Sequence, residues 1–114
     1  MKIQWIRSGK KLTCILEGEL GHREALAVMA EIPKAVPAGA PSMVELDMSR
    51  VGFMDSSGIA VVLTARKNCL KCGAGFRVTG VQPQAMRVFT AAGLEKYADI
   101  TPLERQRAAA RSTK

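Results

Sequence analysis

The chain has 114 residues, 47% of them apolar and 24% charged, with a net charge of +7. That length is one domain, able to bury roughly two-thirds of the surface its unfolded form exposes, and with 4% aromatic residues its core falls to Leu, Val, Ile, Met and Ala. No apolar run approaches the ~18–20 residues of a membrane span, the opening Met1-Lys2-Ile3-Gln4-Trp5 is not a signal-peptide core, and an odd set of three cysteines does not make a disulfide framework; we expect a cytoplasmic protein, not inserted in a membrane, with free thiols.

Residues 2–8 alternate loosely, with Ile3 and Trp5 on one side. Ser8-Gly9-Lys10 reads as a hairpin turn. Residues 11–17 alternate clearly, with Leu12, Cys14 and Leu16 on one face, so the two strands should pair antiparallel. Residues 22–32 switch to helical spacing through Ala25, Leu26, Met29 and Ile32. Pro33, Pro37 and Pro41 then predict a loop, because proline lacks an N–H and stops a helix. Residues 43–48 alternate again, with Val44, Leu46 and Met48 against Glu45 and Asp47.

Residues 56–71 carry Ile59, Val62, Leu63, Arg66 and Leu70 at helical spacing, which predicts one apolar face and a wet Arg66-Lys67-Lys71 side. Gly73 and Gly75 end that helix. A short strand follows at residues 76–80. Gln82-Pro83 opens a helix through Met86, Val88 and Phe89, with proline at its first position, and Gly93 closes it. Tyr97 to Ile100 is a candidate last strand. Thr101, Pro102 and Glu104 have the form of a capped helix start, and residues 104–114 are then a basic, Ala-rich C-terminal helix. The predicted order is β-β-α-β-α-β-α-(β)-α: an α/β fold with a mixed four- to five-stranded sheet, opened by an antiparallel hairpin and carrying about four helices.

The most informative stretch is Gly52-Phe53-Met54-Asp55-Ser56-Ser57-Gly58. It turns from apolar to polar between a strand and a helix. It therefore brings a serine hydroxyl to a helix start, where backbone N–H groups and the macrodipole favour negative charge. Ser56 is open to two readings, a simple N-cap or a phosphate acceptor. Ser57 is the competing acceptor, or a first-turn capping residue, and Asp55 is an alternative cap. Asp47 reads as an acceptor for backbone N–H groups of the following loop, and His22 as a surface residue at a helix start.

Little points to catalysis. A serine nucleophile needs a base within reach, and the nucleophile elbow fails because position 54 is Met rather than Gly. Phosphate-loop, H-E-x-x-H and dinucleotide fingerprints are absent from the sequence. The pair Cys69 and Cys72, with His22 far off, falls short of the four ligands of a zinc site. We expect no enzyme activity, metal or cofactor. The basic residues, among them Lys10, Lys11, Arg66, Lys67, Lys71 and Arg105, do not interleave with aromatics as a single-strand-binding face would, so direct nucleic-acid binding is not expected.

Leu46-Asp47-Met48-Ser49 followed by Phe53-Met54-Asp55-Ser56-Ser57-Gly58-Ile59 resembles the STAS domain of bacterial anti-sigma-factor antagonists. Gly18-Glu19-Leu20 is similar to that family's turn before its first helix. Val78-Thr79-Gly80-Val81-Gln82-Pro83, running on to Ala92-Gly93-Leu94, is similar to its closing strand–helix unit. The three segments occur in the right order over roughly residues 10–100. The resemblance implies a partner switch. The protein would bind an anti-sigma factor that is also a serine kinase and so free a sigma factor. Phosphorylation of Ser56, after the motif aspartate, would end binding, and a PP2C-type phosphatase would restore it. The implied partner surface is Asp55, Ser56, Ser57, Gly58 and Ile59, with Gly58 leaving room for a partner's backbone. The chain departs from the pattern at Gly21, where the family usually has a polar residue, and in its strong positive charge. The same fold serves elsewhere as a non-switching docking subunit of lipid-transport ABC systems or larger signalling assemblies.

Overall fold

The computed structural model of the chain describes residues 1–103. Gly9 takes a positive φ of 61° and folds β1 (Lys2–Ser8) back on β2 (Lys11–Leu20) in an antiparallel pair. The rest of the chain alternates: α1 (His22–Gly39), β3 (Met43–Met54), α2 (Ser57–Cys72), β4 (Gly75–Val81), α3 (Pro83–Ala91), a 3-10 turn at Leu94–Lys96 and β5 (Asp99–Pro102). The sheet order is β1-β2-β3-β4-β5, parallel after the first pair. The α/β class, the mixed sheet and its opening hairpin are those the sequence predicts; the expected four to five strands are five, and of the about four helices three α-helices lie among the described residues.

Alternation in the strands sets the core. Leu12 and Cys14 of β2 lie beside Val44 and Leu46 of β3 in register, and all four are buried. Ala25, Val28, Ile32 and Val36 of α1 and Val61, Val62, Ala65 and Cys69 of α2 pack into the same cluster. The other face of β3 holds Glu45, which accepts hydrogen bonds from Arg77 Nε at 2.8 Å and Thr79 Oγ1 at 3.1 Å, with Lys11 Nζ at 3.0 Å.

Four expectations need correction. The first helix does not stop at Pro33: α1 runs to Gly39 with Pro33 and Pro37 inside it. Both prolines lie on its exposed side, away from the packed face, and proline's fixed φ is itself helical. The Gly18-Glu19-Leu20 segment is strand, not turn, because β2 continues beside β3 through a register shift at Gly18. On α2 the buried face is Val61, Val62, Ala65 and Cys69, while Leu63 and Leu70 face water. Finally, Thr101 and Pro102 belong to β5 rather than to a helix start; the predicted helix over 104–114 lies outside the described residues.

Candidate functional site

The site begins where β3 loses a neighbour. β4 pairs with β3 only from Met43 to Asp47. It then swings away at Gly80, whose φ is +67° and whose α-carbon lies so close to Ser49 that an added Cβ would sit 2.8 Å from the Ser49 Cβ. Asp47 turns its carboxylate back onto Ser49, accepting from the backbone N at 2.9 Å and from Oγ at 2.7 Å. β3 nevertheless continues to Met54, with only β2 beside it.

Two glutamines at the start of α3 replace the missing strand. Gln82 Nε2 donates to the Ser49 carbonyl at 2.9 Å. Gln84 makes a matched pair with Met54: its Oε1 accepts from the Met54 N at 2.8 Å, and its Nε2 donates to the Met54 carbonyl at 2.8 Å. A primary amide offers one donor and one acceptor side by side, as a peptide does. Met54 is fully buried, so its backbone groups would otherwise be costly orphans. From the sequence Gln82 reads only as the opening of a helix and Gln84 carries no signal; the cue to both was their placement in Gln82-Pro83-Gln84, at the start of a helix that follows a strand.

Beyond Met54 the chain turns into α2. Asp55 N donates to the Leu20 carbonyl at 3.2 Å, fixing the turn to the end of β2. Asp55 Oδ1 accepts from the Ser57 N at 2.8 Å, and the Asp55 carbonyl accepts from the Gly58 N at 3.1 Å. Asp55 therefore caps the helix start. Ser56 occupies the N-cap position but makes no side-chain capping bond. Its side chain is exposed, and among the described residues its hydroxyl takes part in no hydrogen bond. The first turn of α2 carries no acidic side chain, so the positive end of its dipole faces the Asp55 carboxylate just before it.

Ser57 is half-buried, and its Oγ lies 3.5 Å from His22 Nδ1, the first residue of α1. The starts of α1 and α2 thus sit side by side. Gly21 N donates to Glu24 Oε1 at 3.1 Å, half of a capping box that needs no side chain at Gly21. Ile59 is partly buried against the core. Gly58 is buried, and the space its side chain would need is taken by the Met54 thioether. The glycine therefore makes room for Met54, not for an approaching backbone as the sequence reading had it. Exposed apolar residues lie close to Ser56 in sequence: Ala60 and Leu63 follow it at helical spacing on α2, and Phe53, three residues before it at the end of β3, is 48% exposed.

The cysteines do not join this site. Cys69 and Cys72 lie in the last turn of α2, the end opposite Ser56, and Cys14 is buried in β2; all three are unpaired thiols. Among the described residues no group of His, Cys, Asp and Glu could hold a metal ion, and no helix is long and apolar enough to cross a membrane.

This architecture has known relatives. Residues 6–103 match a family described as "Mlab, STAS domain". An anti-sigma F factor antagonist of Paenibacillus polymyxa is 31% identical over 85 residues, covering 75% of this chain and 73% of the relative. The structure of the anti-sigma factor antagonist SpoIIAA in its unphosphorylated form superposes with a TM-score of 0.75 at 24% identity, covering 97% of each chain. The phosphorylated form of SpoIIAA, a Bacillus cell fate determinant, superposes at 0.67, with 24% identity and coverage of 96% and 99%. At that identity the two structures speak for the fold. Together with the family match and the Paenibacillus relative, they show that this chain belongs to the STAS-domain family of anti-sigma factor antagonists.

Proposed function

We propose that this chain is an anti-sigma factor antagonist switched at Ser56. In the unmodified state it binds an anti-sigma factor that is also a serine kinase, and so releases a sigma factor. Phosphorylation of Ser56 ends that binding, and a PP2C-type phosphatase restores it. The protein acts as a substrate and a switch, not as a catalyst. One observation carries the reading: Asp55 does the capping, so the Ser56 hydroxyl is exposed and without a structural task at a helix N-terminus. A serine needed to hold the helix would be a poor acceptor, since modifying it would unpick its own support.

The energetics are adequate for a switch. A phosphate brings about −1.5 to −2 charges at neutral pH. On the free protein those charges face a helix N-terminus and water. Buried in a close-packed interface they lose hydration. A penalty of only ~3 kcal/mol weakens binding more than a hundredfold. Ala60, Leu63 and Phe53, exposed and within seven residues of Ser56 in the chain, supply apolar surface for such an interface. Asp55, Ser57 and Ile59 complete the turn the partner would read, with Gly58 supporting it from within.

The experiment is direct. The protein is incubated with its cognate anti-sigma factor kinase and ATP, and phosphate is located by mass spectrometry. Phosphate is expected on Ser56. Ser56→Asp is expected to weaken partner binding in calorimetry while Ser56→Ala keeps it; equal affinities would reject the switch. A second reading, a non-switching docking subunit of a lipid-transport ABC system or a larger signalling assembly, draws support from the description of the family matched over residues 6–103. It predicts stable co-purification with an ATPase and indifference to Ser56→Asp.

A further inference from the structure

We infer that Gln84 is the positioning residue of the Ser56 turn, an inference that rests on Ser56 being the acceptor. The Ser56 side chain makes no capping bond, and its carbonyl only accepts from the Ile59 N at 3.1 Å within the same helix start, so the placement of its hydroxyl depends on what anchors the turn. Upstream, Met54 is held on one side by β2, as the register partner of Leu20. On the other side no strand is present, because β4 pairs no further along β3 than Asp47. The Gln84 amide fills that gap, bonding both the N–H and the C=O of Met54 from thirty residues away. Met54 in turn presses its thioether against Gly58, in the first turn of α2. One side chain on α3 thus fixes the residue that leads into the turn, and that residue packs under the helix the turn begins.

A kinase must take the turn in one geometry. Where only a fraction of molecules hold it, apparent affinity falls by that fraction while the bound complex reacts as before. Loss of the Gln84 pair should therefore appear in KM rather than in kcat.

The test uses the full chain with Gln84→Met and Gln84→Glu. Gln84→Met keeps length and approximate volume but loses both polar atoms. With the anti-sigma factor kinase and ATP, its KM as a phosphoryl acceptor is expected to rise about tenfold, with kcat within about twofold. The heteronuclear 15N NOE values of Asp55 to Gly58 are expected to fall in the same variant. Ile100→Val, a mild change on β5 at the far edge of the sheet, should leave both readouts at wild-type values.

Gln84→Glu supplies a signature that lost stability alone would not give. A carboxylate cannot donate to the Met54 carbonyl, but the protonated acid has one O–H and one C=O and fits as the amide does. Acidification through the usual Glu range near pH ~4.3 should restore the NOE values in Gln84→Glu and not in Gln84→Met. Unchanged KM and NOE values in Gln84→Met overturn the inference, as does a Gln84→Glu turn indifferent to acid. Absence of phosphate from wild-type Ser56 would overturn the functional reading instead, and the NOE measurements would still decide whether Gln84 holds the turn. Should Gln84→Met fail to fold, Gln84→Glu followed across pH carries the test by itself.

Discussion

The Met54 side chain occupies the volume that a side chain on Gly58 would need. Met54 is fully buried at the end of β3, and Gly58 lies in the first turn of α2, so the pair locks strand to helix across the candidate switch turn. Gly58→Ala would add a methyl group where there is no space. Overpacking of this kind costs about 1–3 kcal/mol. The gain from replacing a helical glycine, at most ~1 kcal/mol, is smaller, so the variant should be less stable by about 1–2 kcal/mol. Urea unfolding measures this; a Gly58→Ala protein as stable as wild type would mean that Met54 moves aside freely.

Asp55 and Ser56 make opposite predictions about the same helix end. Removing a capping side chain costs about 1 kcal/mol. Asp55→Ala should show that loss, because its Oδ1 accepts from the Ser57 N. Ser56→Ala should stay within about 0.5 kcal/mol of wild type, since Ser56 makes no capping bond. The reverse order in paired urea titrations would make Ser56 the structural cap and remove the main support for its role as an acceptor.

Much of this architecture is legible in the sequence because strand and helix periods differ. The alternation at Leu12, Cys14 and Leu16 and at Val44, Leu46 and Met48 identifies two buried strand faces, and the polar break at Asp55 marks the turn. The sequence misleads where a residue's surroundings outweigh its type. Pro33 and Pro37 read as breaks, yet four residues apart they share the wet side of α1. Leu63 and Leu70 read as core by hydrophobicity, but the smaller Ala65 and Cys69 fit the close approach of α2. Gln84 is invisible to periodicity because its function is a hydrogen bond to Met54, thirty residues away. The polar break marks the turn and the resemblance implies Ser56 as the acceptor; only geometry separates Asp55 as cap from Ser56 as free hydroxyl.

The three thiols should separate into one fast and two slow groups. Burial pushes Cys14 up to about 12, with the Glu31 charge adding to it. Burial likewise pushes Cys69 up to about 11, helped by Cys72. The thiolate is the reactive form, and these two thiols are both protonated and covered. Cys72 is exposed. An aromatic disulfide reagent at pH 8 should label Cys72 first, and Cys72→Ser should abolish the fast phase; the other two should react only on unfolding. Fast labelling of Cys69 in the folded variant would contradict the packing of α2 against the sheet.

Glu45 should give the fold an acid-sensitive contribution. Burial raises its pKa, but hydrogen bonds from Lys11, Arg77 and Thr79, with the Lys11 charge, outweigh that and hold the carboxyl below its ordinary 4.5. A depressed folded-state pKa means the unfolded chain takes up the proton first as pH falls. The stabilisation is therefore complete above about pH 4.5, and it disappears as pH drops through the lower, folded value. The Glu45 side chain is only 15% exposed, but Lys11 and Arg77 are each 40% exposed, so solvent screens the pairs and the contribution is about 1 kcal/mol at neutral pH. Glu45→Gln should thus be less stable than wild type at pH 7, and the gap should narrow steadily below pH 4.5. Urea midpoints of the two proteins at pH 7 and at pH 3 measure that narrowing; a gap of equal size at both would mean that the carboxylate charge contributes nothing and that only the shape of residue 45 matters.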